Sequence, residues 1–158
     1  MAQEPWLALP TLRRHVAAQP ELVRRVLQGV IGQSRGEAAG HRFERVERLS
    51  NSEALIRFRL RILGRETETL ERVIATGDGV RFELVEGYLP AVEEEMRVDA
   101  AGDGSLISYS GRFRPRPGRL GRIIGVPLVR LIYRREVSRS LTAAKDLAEA
   151  RQARGAPA

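Results

Sequence analysis

The sequence has few of the residues that build metal centres and nucleophilic active sites. It contains no cysteine, and its two histidines, His15 and His41, are isolated from each other. Disulfides, thiolate metal sites and cysteine nucleophiles are therefore excluded, and little remains for a catalytic triad. We expect no metal, because these ligand residues are scarce. We also expect no cofactor, since no Gly-rich phosphate loop follows a predicted strand.

Long apolar runs are also missing. The chain has no run of 18 apolar residues and no basic segment followed by an apolar one at its start. This pattern predicts neither a membrane-spanning helix nor a secretory signal, so we expect a cytoplasmic protein. With 42% hydrophobic and 30% charged residues, residues 1–158 are expected to form one globular domain, with 1–9 and 151–158 flexible.

Positive charge is concentrated in the last third of the chain. The net charge is +7, and 26 of the 27 cations are arginine. Residues 112–139 hold nine arginines and one acid, Glu136. Clustered arginines bind phosphates and carboxylates and are attracted to anionic membranes. The candidate anion- or membrane-facing residues are Arg112, Arg114, Arg116, Arg119, Arg122, Arg130 and Arg134.

This basic segment has two other interpretations. The first, to which we give equal weight, is a solvent-exposed face whose positive charge balances the negative charge of the middle of the chain. Nucleic acid is disfavoured as a partner, because neither interleaved aromatic residues nor a known binding motif accompanies the charge.

Two short helices are predicted near the start of the chain. Each begins at a proline, Pro10 or Pro20, because proline suits the first helical position. The first helix has Leu9, Leu12 and Val16 on one face. In the second, a period of 3.6 residues gives one apolar face, formed by Leu22, Val23, Val26, Leu27, Val30 and Ile31.

From residue 42 onwards the apolar period changes from 3.6 to 2, which predicts an antiparallel meander. Pro115 and Pro117 end its last strand, and a long C-terminal helix with a bend or irregular start near Pro127 comes next. The six predicted strands are 42–50, 54–63, 66–76, 80–84, 91–99 and 105–114.

The end of the meander and the last helix carry motifs of a known superfamily. Gly-Arg-Phe-Arg-Pro at 111–115 leads into the Gly-rich entry at 118–121, and the last helix has characteristic turns at 135–141 and 145–149. Over about residues 10–150 the chain resembles the START-like or SRPBCC superfamily, in particular its polyketide cyclase/dehydrase and coenzyme Q-binding-like branch. The resemblance implies an α+β helix-grip fold. Its curved sheet of six strands, or seven with a further one, surrounds the C-terminal helix.

The resemblance also implies a cavity between the sheet and the last helix. In the superfamily this cavity holds a bulky apolar molecule such as a lipid, a polyketide or an isoprenoid. For each inward residue, packing as ordinary core is the alternative. The candidate ligand-binding residues are Ile56, Phe58, Leu60, Leu70, Phe82, Leu84, Met96, Tyr109, Phe113, Leu128 and Leu131.

Glu94 is a candidate acid or base inside the cavity. It is in phase with Val92, Met96 and Val98, so its carboxyl would project among apolar side chains. Burial raises the pKa of a carboxyl and suits it to proton transfer. With Tyr109 it forms the candidate catalytic pair, whereas the alternative is a salt bridge to an inward arginine.

Three functions therefore remain open. The first is binding or carrying of an apolar small molecule. The second is a metal-independent cyclase or dehydratase, which needs polar groups aimed into the cavity. The third is an interaction module whose own side chains fill the cavity.

A homodimer is also expected. Members of the superfamily normally open with a strand, and residues 1–9 show no strand pattern, so we expect that this strand is either missing or lies upstream. Without that strand, one edge of 105–114 lacks hydrogen-bond partners, and an open edge invites another chain. The expected contact is edge to edge there, or through the apolar face of residues 10–31.

Overall fold

A computed structural model describes residues 4–38 and 40–155. The elements are β1 (Leu7–Ala8), β2 (Leu12–Val16), α1 (Pro20–Gly32), β3 (Arg35–Ala38), β4 (His41–Ser50), β5 (Glu53–Ile62), β6 (Arg65–Ala75), β7 (Gly79–Glu86), β8 (Ala91–Ala101), β9 (Gly104–Arg114), a π-helical turn (Gly121–Gly125) and α2 (Val126–Ala153).

The strands of the described residues form one curved antiparallel sheet. Its order is β1-β9-β8-β7-β6-β5-β4-β3, and β2 also pairs with β9. From β3 to β9 each strand pairs with the next one in sequence, as the meander predicts. The long helix α2 lies against this sheet, so the predicted α+β helix-grip fold is confirmed, with nine strands instead of six or seven.

The first predicted helix is wrong, because that segment forms two short strands. Leu7–Ala8 pair with 112–113, and Leu12–Val16 pair with 105–109. Pro10 lies between them, where its missing N–H interrupts pairing at a sheet edge that tolerates proline. The strand that the resemblance requires is therefore present in two pieces.

This pairing removes the basis for the predicted dimer. The Leu9 N–H donates to the Gly111 carbonyl at 2.9 Å, so β9 is covered along its length by this chain's own strands. The apolar face of α1 is also occupied, since it packs into the protein's own core. Its buried residues are Leu22, Val23, Leu27 and Ile31.

The six predicted strands are confirmed as β4 to β9. The weakest of them, β4, has register shifts between Arg45 and Glu47 and between Arg48 and Ser50. Bulges of this kind add a residue on one strand and break the alternation of two, which explains the irregular apolar pattern. The short strand β3 lies in a glycine-containing segment and was not predicted.

The irregular start of the last helix is confirmed as the π-helical turn Gly121–Gly125. A π turn contains more residues than an α turn and shifts the phase of the helix after it. Val129 is therefore buried on α2, whereas Leu131, predicted to face inward, is 51% exposed. Gly121 is required here, because a Cβ would lie 2.3 Å from the Arg116 carbonyl oxygen.

The two chain ends are less irregular than expected. Leu7–Ala8 lie in a strand, and Arg151 belongs to the last turn of α2. Of the predicted flexible ends, residues 1–3 and 156–158 lie outside the described residues. Within those residues, no helix has the length and apolarity needed to cross a membrane.

Candidate functional site

A cavity of about 610 Å³ lies between the sheet and α2. The interpretation in which side chains fill this space is therefore wrong. The sheet side is formed by Phe58, Leu60, Ile62, Thr67, Thr69, Glu71, Phe82, Leu84, Glu94 and Met96. The helix side is formed by Leu128, Val129, Ile132, Tyr133, Glu136, Val137 and Ser140, and the remaining wall by His41, Leu63, Arg65, Tyr88, Leu89 and Gly125.

The structure brings six of the eleven predicted ligand-binding residues together on the cavity wall. They are Phe58, Leu60, Phe82, Leu84, Met96 and Leu128.

The other five lie elsewhere. Ile56 and Phe113 are completely buried in the core, and Tyr109 is buried beside the cavity. Leu70 alternates with two lining residues of β6 and so points to the opposite face of the sheet. Leu131 is exposed on α2, because the π turn shifts the phase of that helix.

The strand β6 presents polar side chains to the cavity, and sequence reasoning missed them. Thr67, Thr69 and Glu71 line the wall, in phase with the buried Val73. The apolar Leu70 set the predicted phase, because apolar residues usually mark the inner face of a strand. Thr69 pairs with Phe58 on β5, and Thr67 pairs with Leu60. Aligning the two strands in this register would have placed both threonines on the inner face.

Glu71 and Glu94 form an acidic pair at the sheet side of the cavity. Glu71 lies opposite Leu84, and Glu94 lies opposite Phe82, so β7 separates the two carboxylate-bearing strands. The surrounding protein desolvates both carboxyls, which are partly buried in the cavity wall, and the charge of Glu71 disfavours a second charge on Glu94. Burial, reinforced by the charge of Glu71, raises the pKa of Glu94 to about 8. Burial also raises the pKa of Glu71.

Two hydroxyl groups hold this pair in place. The Tyr109 hydroxyl donates to Glu94 Oε1 at 2.7 Å, and the Thr69 hydroxyl donates to Glu71 Oε1 at 2.7 Å. Tyr109 thus contacts the site through its hydroxyl, although it does not itself line the cavity. Burial and the nearby Glu94 carboxylate raise the pKa of Tyr133, which faces the pair from α2. Neither tyrosine is ionised at neutral pH.

Gly111 leaves room for the Glu94 side chain. It lies directly opposite Glu94 on β9. A Cβ at this position would be 2.9 Å from the Glu93 carbonyl oxygen and 3.2 Å from Glu94 Cγ. A residue with a side chain here would therefore push on the backbone of β8 and on the carboxylate itself.

A second polar pair lies elsewhere on the cavity wall. His41 Nε2 is 3.1 Å from Glu136 Oε2, which joins the start of β4 to α2. His15 lies apart, with Nε2 3.3 Å from the Ala101 carbonyl oxygen. Within 4–38 and 40–155, no three histidine, aspartate or glutamate residues are grouped to hold a metal ion.

The predicted anion-facing arginines have different surroundings. Arg112 pairs with Glu93 and Arg122 pairs with Glu4. The guanidinium groups of Arg112 and Arg114 lie 4.6 and 4.8 Å from the centre of the Trp6 ring.

Other arginines of this set contact the backbone or extend from the surface. Arg116 lies over the Tyr88 ring at 4.1 Å and donates to the Tyr88 carbonyl at 2.8 Å. Arg130 donates to the Ala8 carbonyl. Arg119 and Arg134 are exposed. The structure thus brings part of the set to one end of the sheet and commits two of them to ion pairs.

Known proteins are similar to this chain in fold, whereas their sequences are not. No protein-family model and no curated protein sequence matches this chain. Solved structures do match it. The Zhui aromatase/cyclase of a Streptomyces strain has a TM-score of 0.72 and 16% identity, over 94% of this chain and 96% of that one. A START superfamily protein from Mycobacterium smegmatis has a TM-score of 0.64 and 17% identity, over 92% and 97%.

This chain has the START-like helix-grip fold. A third structure with this fold is StfQ, a di-domain aromatase/cyclase from the steffimycin biosynthetic pathway. Its TM-score is 0.74 at 14% identity, and the match spans 94% of this chain but 52% of the StfQ chain. At these identities the shared property is the helix-grip architecture, so the function has to be argued from the cavity itself.

Proposed function

We propose that this protein binds a bulky, largely apolar small molecule in the cavity between the sheet and α2. The observation that carries the proposal is the cavity itself, about 610 Å³ in volume and lined mainly by apolar and aromatic side chains. Ligand sites in proteins usually occupy about 300–1,000 Å³ and combine an apolar wall with a few polar groups. A lipid, a polyketide or an isoprenoid-like molecule has this size and polarity.

The acidic pair supplies the polar groups of this site. A ligand whose hydroxyl or carbonyl reaches Glu71 and Glu94 would exchange hydrogen bonds with them, since a protonated carboxyl donates and an ionised one accepts. The rest of the ligand would lie along Phe58, Phe82 and Leu84. The names of the structures that share the fold, aromatase/cyclases and a START superfamily protein, are consistent with such a ligand.

The first test is native mass spectrometry of the purified protein after incubation with extracted lipids and polycyclic aromatic compounds. We expect a bound species of defined mass and a higher melting temperature. Thr67→Phe, which fills part of the cavity wall, should remove both effects. Thr142→Phe introduces the same side chain at an exposed position of α2 and is the control. A protein that stays empty and shows no shift with any compound would contradict the proposal.

A second candidate function, a metal-independent cyclase or dehydratase, is favoured by the acidic pair. Dehydration of a β-hydroxy ketone needs a base that removes the α-proton and an acid that protonates the departing hydroxyl, which leaves as water. One ionised and one protonated carboxyl in the same cavity supply both roles. We assign the proton transfer to Glu94 and Glu71, with Tyr109 as the residue that positions Glu94.

Carrier and enzyme differ in their response to Glu94→Gln. In an enzyme, this variant should bind ligand and lose turnover of a β-hydroxy polyketide analogue by about 100-fold or more, as expected when a general acid or base is removed. In a carrier, the wild-type protein returns the analogue unchanged. Product analysis of the wild type and the variant, beside a measurement of ligand affinity, separates the two.

A further inference from the structure

The cavity opens towards one end of the sheet. Three connections lie at this end. They are the turn between β5 and β6, which contains Leu63, the connection between β7 and β8, which contains Tyr88, and the π-helical turn, which contains Gly125. All three residues line the cavity. The turns after β4, β6 and β8 lie at the opposite end, because the strands alternate in direction. The first set of loops therefore forms the entrance.

Large apolar side chains are exposed around this entrance. We call Leu63, Tyr88, Leu120, Ile123 and Ile124 the apolar rim. Their exposed fractions are 71%, 65%, 75%, 72% and 59%. Several large apolar side chains exposed around one cavity entrance point to an interaction site. The opposite end of the sheet has polar turns instead, with Ser50, Asp78 and Asp103.

The turn that carries Leu63 is unusual for a tight hairpin. Leu63 has φ of 51° and Gly64 has φ of 77°. Two successive residues with positive φ favour Asn-Gly or a similar pair, whereas a leucine in this region is strained. The turn therefore places an apolar side chain at the tip of the hairpin, mostly in solvent, where it contributes little to the core.

The chain segment that carries three of the five rim residues is strongly basic. Residues 112–125 hold five arginines and no acid, and the guanidinium of Arg116 stacks on the rim residue Tyr88. Arg119 precedes the rim residue Leu120 and is exposed, and Arg65 lies on the cavity wall near Leu63. None of Arg65, Arg116 and Arg119 forms an ion pair with any residue in the described part of the chain. An apolar rim with unpaired arginines is complementary to a bilayer that has an anionic surface.

We propose that the apolar rim docks on a membrane containing anionic lipid, and that the ligand enters and leaves the cavity at this contact. The second half of this inference rests on the proposed function, and the first half does not. The rim would insert among the lipid headgroups while Arg65, Arg116 and Arg119 contact the phosphates. An apolar ligand then passes between bilayer and cavity without crossing water.

The test is co-sedimentation of the full chain with vesicles of phosphatidylcholine alone or mixed with phosphatidylglycerol. We expect binding to the mixed vesicles, weakening as salt is added because exposed charges are screened. Arg119→Ser should lower the affinity about fivefold, and the double variant Ile123→Ser with Ile124→Ser should lower it further. The rim side chains are exposed, so folding is not expected to suffer, and circular dichroism checks this.

Two control variants remove similar groups away from the entrance. Leu49→Ser removes a 43% exposed leucine from the end of β4, at the opposite end of the sheet. Arg13→Ser removes an exposed arginine from β2. Both should bind the mixed vesicles as the wild type does. Equal loss in the controls, or equal binding to both kinds of vesicle, would overturn the inference.

The remaining outcomes separate this inference from the proposed function. If ligands bind in the cavity but vesicles do not bind, the docking surface is wrong and the ligand site stands. If mixed vesicles bind through the rim but the cavity stays empty, the ligand site is wrong and docking stands. Self-association in solution that the double isoleucine variant abolishes, without vesicle binding, would assign the rim to a second copy of the chain and overturn the membrane contact.

Discussion

The two ends of the sheet differ in how completely the chain covers them. At the closed end, Gln28 of α1 donates to the Thr76 and Gly79 carbonyls at 3.1 and 2.8 Å. The end of α2 also reaches this region, where Glu149 and Gln152 accept hydrogen bonds from the backbone before α1. At the entrance, large apolar side chains stay in solvent. The closed end therefore stabilises the fold, whereas the entrance is free for function.

The close approach of strands at the closed end depends on glycine. A Cβ at Gly79 would lie 1.8 Å from the Met96 carbonyl oxygen, and one at Gly104 would lie 2.3 Å from the Val16 carbonyl oxygen. None of the turn residues 51–52, 76–78 and 102–103 at this end lines the cavity.

The largest expected effect is the loss of core packing at the closed end. Leu22 on α1 is 3% exposed, so Leu22→Ala should lower the free energy of unfolding by about 2–5 kcal/mol. Urea unfolding followed by fluorescence or circular dichroism measures it. A cost below about 1 kcal/mol would show that α1 is not part of the cooperative core and would remove the basis of the comparison.

The next effect concerns the acidic pair and depends on pH. Because the pKa of Glu94 is about 8 in the folded protein and 4.5 ordinarily, the folded state binds more protons than the unfolded state between these values. The free energy of unfolding should therefore fall as pH rises from about 4.5 to about 8. Glu94→Gln should remove much of this dependence and raise stability at pH 8 by about 1–3 kcal/mol, with little change near pH 4.

Urea unfolding of wild type and Glu94→Gln across this range of pH checks the prediction. Glu95→Gln is the matched control, since Glu95 is the next residue on β8, lies opposite Arg81 and alternates to the other face. A wild type whose stability rises between pH 5 and pH 8 in parallel with the Glu94→Gln variant would show that Glu94 is ionised without penalty.

A smaller effect is expected at the hydrogen bonds that close the β6–β7 turn. Gln28→Ala removes two hydrogen bonds to backbone carbonyls, and we expect a loss of about 1–2 kcal/mol. Amide hydrogen exchange around residues 76–79 should become faster while exchange at 87–90 is unchanged. Faster exchange at both ends would mean that α1 stabilises the whole sheet rather than its closed end.

The smallest effect should come from the apolar rim. Leu120 is 75% exposed, so Leu120→Ala should change the free energy of unfolding by less than about 0.5 kcal/mol. The same urea experiment, with Leu22→Ala beside it, makes the contrast between the two ends quantitative. A loss of more than about 1 kcal/mol would show that the rim packs within the chain and would argue against its role in docking.

Much of the site's apolar wall could be predicted from the period of two along β5, β7 and β8. Phe58, Leu60, Phe82, Leu84 and Met96 alternate with charged residues, and such alternation identifies the inner face of a strand with one solvated side. Glu94 could be placed among them for the same reason. Glu71 could not, because its strand has polar residues on the inner face and apolar Leu70 on the outer one.

Two further errors came from local signals that the tertiary structure overrode. Pro10 is compatible with a helix start, and only the edge of β9 turns its flanking residues into strands. The phase of α2 depends on one π turn, which displaces Leu131 from the cavity. The first of these depends on pairing with a strand distant in sequence, which no local pattern reports.

By itself, the sequence determined the meander of six strands and the long last helix, because apolar periodicity is a local property that the sheet and helix must satisfy. The helix-grip fold was what the resemblance to a known superfamily implied. The sequence also determined the excess of arginine in the last third. Only the tertiary structure decided that Glu71 and Glu94 share one cavity and that the entrance is ringed by Leu63, Tyr88 and the π turn. The physical reason is that the pKa of a carboxyl and the exposure of an apolar side chain depend on neighbours that folding brings from other strands.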